Sequence, residues 1–158
     1  MTTLAKVSLP DEEAWLKAIG KVIWCMGQIE YLIYDWCNKL GGVALRDTAI
    51  NKTGFRGRYD IVVAAVERSG WPDNKKMKSL ILWNKAKCFA NFRNKVAHAP
   101  VVVVKGVSIL LDVRQLRGSI GPKPVRVYRP EFLELLAHKI QTLARQLDVI
   151  INSTEPIV

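Results

Sequence analysis

The run Arg93-Asn-Lys-Val-Ala-His98 places a guanidinium, a carboxamide and an imidazole within six residues. A guanidinium offers phosphate oxygens a two-pronged fork, and an imidazole exchanges protons near neutral pH. Such groups suit acid–base chemistry at a phosphate. His98 also has a plainer reading, as a residue near a helix end that hydrogen-bonds the last carbonyls.

These residues need a helix to hold them. Asp73 or Asn74 can cap one that runs to about His98, because Pro100 disfavours helical geometry at Ala99. At about 100° per residue, Met77, Ile81, Cys88, Phe92 and Val96 form its expected core face. Asn84, Lys87, Asn91, Asn94 and His98 form a second, wholly polar stripe, and Arg93 lies on the shoulder opposite it. Each of the three asparagines costs helix propensity, on the order of half a kcal/mol. Their amides both donate and accept, which suits a polar ligand or an inter-subunit network. A tolerant surface stripe, or a buried Asn and His network fixing bundle register, accounts for the same pattern.

A second charge stands out upstream. Trp15, Ile19, Val22, Met26, Ile29, Ile33, Trp36 and Leu40 recur at spacings of three and four, the seam of a long helix over residues 11 to 40 that Gly41-Gly42 stops. Asp11, Glu12 and Glu13 suit its positive end. Leu16, Ile23, Trp24, Tyr31 and Leu32 widen the apolar stripe, so this helix is central to a bundle or packs against a second subunit. Glu30 lies beside the seam, where an unpaired carboxylate is expensive. It calls for a cationic partner, with Arg93 foremost, or else it snorkels to water from an edge.

Between these helices the pattern predicts a short helix from Val43 to Asn51, a basic loop Lys52-Thr-Gly-Phe-Arg-Gly-Arg58, and a helix from Tyr59 to Arg68. Beyond Pro100, Val101 to Val104 and Val107 to Val113 suggest a small β-hairpin, and Val125 to Tyr128 a third strand after the Gly118 to Pro124 loop. Pro130 opens a last helix with the seam Leu133, Leu136, Ile140, Leu143, Leu147 and Ile150, and His138 lies off that seam as a surface residue. The tail from Asn152 reads as frayed. The fold class is therefore mostly α, a bundle of four to five helices with a small hairpin before the last helix. Residues 1–158 read as one domain, with its core over about 11–151.

The net charge of +10 is uneven: residues 1–48 carry −1, residues 49–98 carry +8 and residues 99–158 carry +3. A basic surface attracts polyanions, nucleic acid first, although charge alone selects no partner. Arg56 and Arg58, with Lys75, Lys76 and Lys78, are candidate phosphate contacts, and Lys95 lies inside the motif itself. Cys25, Cys37 and Cys88 are odd in number and lack CxxC spacing, which argues for buried reduced thiols rather than a zinc site or disulfides. The five tryptophans fall mostly at helical core spacing, so they read as packing. There is no Gly-rich phosphate loop, carboxylate and histidine cluster or Gly-x-Ser-x-Gly elbow. No basic-then-apolar leader or membrane-length run is present, and a cytoplasmic location is expected.

Arg93 to His98 resembles the R-x4-6-H signature of the HEPN superfamily (higher eukaryotes and prokaryotes nucleotide-binding domains), in which a polar residue, often Asn, follows the Arg. The layout is similar too: the motif lies late in a long helix, a long apolar helix with an embedded glutamate precedes it, and another helix follows. The resemblance implies a HEPN-like helical bundle and a metal-independent endoribonuclease site, formed where two subunits bring their motifs together. Arg93 would stabilise charge on the phosphate, His98 would act as general base or acid in attack by the ribose 2′-OH, and Asn94 would orient either. Glu30, Asn91 and Lys87 would support them, while Arg56, Arg58, Lys75 and Lys95 would hold RNA. The implied partners are RNA, a second copy of the chain and an antitoxin-like protein in a toxin or defence role, with no cofactor, metal or membrane. Many members of the superfamily lack nuclease activity, so a non-catalytic nucleotide- or protein-binding module is the alternative.

Overall fold

The seam of apolar residues at three and four spacing forms α1, Glu12–Ile50, whose buried face includes Trp15, Val22, Met26, Ile29, Ile33 and Trp36. The computed structural model describes residues 11–98, 101–104, 107–111 and 127–153. Gly42, at φ 75° and ψ −172°, breaks α1, in a backbone region that only glycine adopts readily. The chain then resumes its helix to Ile50, so the stop at the glycine pair is a kink.

The α2 helix, Gly54–Arg68, begins earlier than expected. Phe55 and Tyr59, one turn apart, are both buried, and their burial draws the basic segment into the helix. Arg56 and Arg58 therefore stand on the first turns of α2 rather than on a loop.

The α3 helix, Asp73–His98, has the predicted span, but of its predicted face only Val96 is buried and Phe92 packed against the core. Ser79, Trp83, Ala86, Ala90 and Val96 are buried, whereas Met77 and Ile81 are 63% and 49% exposed and Cys88 is exposed. Small side chains at 79, 86 and 90 let α3 lie close to its neighbours around Trp83. From Ser79 to Ala90 the buried arc is consequently about half a turn away from the one that hydropathy selects. Trp83 meets Trp36 edge-on at 5.3 Å, and Trp36 meets Trp71 at 5.6 Å. Cys25 and Cys37 are buried as expected, Cys88 is not, and Trp24 departs from core packing at 71% exposed.

Strands β1 (Val101–Val104) and β2 (Val107–Leu111) pair antiparallel, Val101 opposite Leu110, and β3 (Val127–Tyr128) pairs with β2, Leu110 opposite Tyr128. The Gly118 to Pro124 loop and the last five residues lie outside the described residues. Tyr128 packs against Phe92 of α3 at 5.1 Å, which docks the sheet on the end of that helix.

The α4 helix, Pro130–Asn152, opens on Pro130 and buries its whole predicted seam, with His138 exposed. Lys21 reaches Glu134 and Lys39 reaches Asn152, both 113 residues on, so α4 runs parallel to α1. Trp36 on Trp83, and Glu30 on Arg93, show that α3 runs antiparallel to α1. The result is a helical bundle. Among the described residues no helix is long and apolar enough to cross a membrane.

Candidate functional site

Glu30 lies on the flank of α1 that faces α2 and α3, inside the bundle but short of full burial. Its Oε1 accepts a hydrogen bond from Arg93 Nη2 at 2.5 Å, and its Oε2 accepts one from Arg58 Nη1 at 2.7 Å. The side chains of Glu30, Arg58 and Arg93 are 21%, 21% and 27% exposed, so an anion in solution can reach them. One carboxylate held by two guanidiniums leaves a net charge of +1, with N–H donors to spare.

Arg58 is fixed more firmly than Arg93. Its Nε also donates to the Lys52 carbonyl at 3.2 Å, and its guanidinium lies 5.6 Å from the Tyr34 ring centroid. Tyr34 is four residues from Glu30, hence on the same helix face.

The polar stripe of α3 divides. Asn84 Oδ1 accepts from the Tyr59 hydroxyl at 2.5 Å, and Lys87 Nζ sits 4.7 Å from the centroid of the Tyr59 ring. These two residues bind α3 to α2. Burial, aided by the neighbouring Asp60, Cys88 and Glu67, raises the Tyr59 phenol above the ordinary tyrosine range, so the hydroxyl stays a donor. Further along, Asn91 and His98 are exposed and Asn94 is half-buried.

The structure thus brings Glu30, Arg93 and Arg58 together, and places Asn94 and His98 on the same stretch of α3. Arg56 is exposed on α2, and Lys95 is half-buried. Lys75 does not belong to this surface. It is 6% exposed, its Nζ donates to the Ser153 carbonyl at 2.9 Å, and it stacks on Trp71 at 4.3 Å. Desolvation lowers its pKa, and its role is to join the start of α3 to the end of α4. A lysine in a run of lysines gave no sign of this.

Sequence reasoning paired Glu30 with Arg93 but did not join Arg58 to them, and it missed Tyr34 and Tyr59. The spacing of Tyr34 from Glu30 was the available signal; nothing local marked Tyr59. No protein-family model matches the chain, and neither a curated protein nor a solved structure shows significant similarity to it.

Proposed function

We propose that the chain is a HEPN-like helical bundle with a small β-hairpin that acts as a metal-independent endoribonuclease in the cytoplasm, as a dimer. The observation that carries this reading is the Glu30 carboxylate gripped by Arg58 and Arg93, beside a helix that ends in His98. Glu30 holds Arg93 in one rotamer and leaves donors for a phosphate. Arg58 supplies a second guanidinium to the same patch.

In the proposed reaction His98 takes the proton of a ribose 2′-OH, whose oxygen attacks the adjacent phosphorus. Charge grows on the non-bridging oxygens, where Arg93 stabilises it and Asn94 orients the group. The 5′-oxygen leaves with a proton returned by an imidazole, His98 or its copy across the dimer. The products are a 2′,3′-cyclic phosphate and a 5′-hydroxyl end. In this reading Asn91, Arg56 and Lys95 hold the strand, and a toxin or defence role with an antitoxin-like protein partner fits the resemblance.

The competing reading is a nucleotide- or protein-binding module. It is favoured by the hold of Glu30 on Arg93, since the same clamp binds an anion with no part for His98. Incubation with mixed RNA in EDTA, with analysis of the product ends, tests the choice. Cyclic phosphate ends support the nuclease, and nucleotide binding without cutting supports the module.

A further inference from the structure

The outward face of α1 carries a large exposed apolar stripe. Trp24, Tyr31, Leu16 and Ile23 are 71%, 69%, 65% and 45% exposed, and Gly20 and Gly27 are exposed among them. At about 100° per residue these six fall within an arc of about 100°. Together the four large side chains expose on the order of 500 Å² per copy, so a pair that covers them buries about 1,000 Å², the lower bound for a specific interface.

Their order names the occupant. Leu16 stands as far before the midpoint between residues 23 and 24 as Tyr31 stands after it. The same holds for Gly20 with Gly27 and for Ile23 with Trp24. A stripe symmetric about its own centre is complementary to an antiparallel copy of itself, which is the requirement of a twofold interface. Leu16 then meets Tyr31 of the partner subunit, and the glycines, where an added Cβ finds nothing within 4 Å, let the helices approach.

We propose that this face is an antiparallel α1–α1 seam between two copies of the chain. The inference deepens the dimeric part of the function proposed above, and rests on it only for the role of His98. A twofold of this kind keeps equivalent flanks on one side, so both Glu30 and arginine clusters open on the same face, offset by about 20 Å along the seam at 1.5 Å per residue. The antiparallel course of α3, fixed by Trp36 on Trp83 and Glu30 on Arg93, carries His98 back to a level with roughly Lys21 to Cys25 of α1. That is the level of the twofold. Both imidazoles come to the middle of one composite face, with an arginine clamp on either side.

Sedimentation without RNA tests the seam first. The wild type should be a dimer, Trp24→Glu a folded monomer by circular dichroism, and Met77→Glu, which alters an exposed apolar residue on α3, a dimer. In a Cys88→Ser background, Gly20→Cys mixed with Gly27→Cys should cross-link several-fold more than either variant alone. A monomeric wild type, a dimeric Trp24→Glu, or cross-linking no greater in the mixture overturns the proposal. A dimer with this cross-linking pattern that cuts no RNA upholds the seam and counts only against the chemistry.

Discussion

Glu30 and Arg93, 63 residues apart in the chain, form an ion pair that anchors the end of α3 to the middle of α1. Arg58 completes it from α2, so three helices share one carboxylate. Removing Glu30 leaves two guanidiniums facing each other without their counter-ion. Glu30→Ala should lower unfolding free energy by about 1–2 kcal/mol, discounted for the partial exposure of all three groups. A double-mutant cycle in urea with Arg93→Ala should show coupling near 1 kcal/mol. Additive effects mean that the pair is incidental.

Gly42 occupies a conformation that a Cβ makes costly. Gly42→Ala should destabilise the protein by about 1–3 kcal/mol through strain alone, since nothing lies within 4 Å of the added carbon. Urea unfolding of this variant beside Gly57→Ala, a helical glycine of α2 whose added carbon meets only the Lys52 side chain at ordinary contact distance, separates backbone strain from the general effect of the substitution. The second change should be neutral or stabilising.

Lys75 should matter for folding and not for RNA. Losing its charged hydrogen bond and its stacking on Trp71 should cost about 1–2 kcal/mol in Lys75→Ala. RNA affinity measured on the folded variant should stay within twofold of the wild type, whereas Arg56→Ala should weaken it. Equal losses from both would return Lys75 to the binding surface.

Burial pushes the Cys37 thiol up to about 11 from an ordinary value of 9.0. The folded state therefore holds this proton longer than the unfolded chain does. Stability from this group is complete below pH 9 and is lost as pH rises through 11. Urea midpoints should fall over that window and fall less in Cys37→Ala. At neutral pH a thiol reagent should modify Cys88 quickly and leave Cys25 and Cys37 unreacted until the protein unfolds.

What could be read from the chain follows from which physical term dominates at each place. The α1 and α4 seams were plain because large apolar residues recur at helical spacing on both. Glu30 pointed to Arg93 because a carboxylate in so apolar a helix has few ways to be neutralised. The face of α3 before Phe92 was misread because its contact with the bundle there is set by small residues, Ser79, Ala86 and Ala90, whose burial reflects close approach and not hydropathy. Arg58 was assigned to a loop for a related reason: the burial of Phe55 and Tyr59, a tertiary effect, starts α2 a turn early. The buried course of Lys75 depends on Trp71 and Ser153, neither of which any local pattern connects to it.

In the proposed function Arg93 and His98 cut RNA through its 2′-hydroxyl. The direct measurement is the cleavage rate of one RNA in EDTA by the wild type, Arg93→Ala and His98→Ala, with an all-deoxy strand of the same sequence as control. The expected result is cleavage by the wild type, losses of about 10²–10⁴-fold in each variant with fold and dimer intact, and no cutting of the deoxy strand. Equal rates in all three proteins, or cleavage of the deoxy strand, would contradict it.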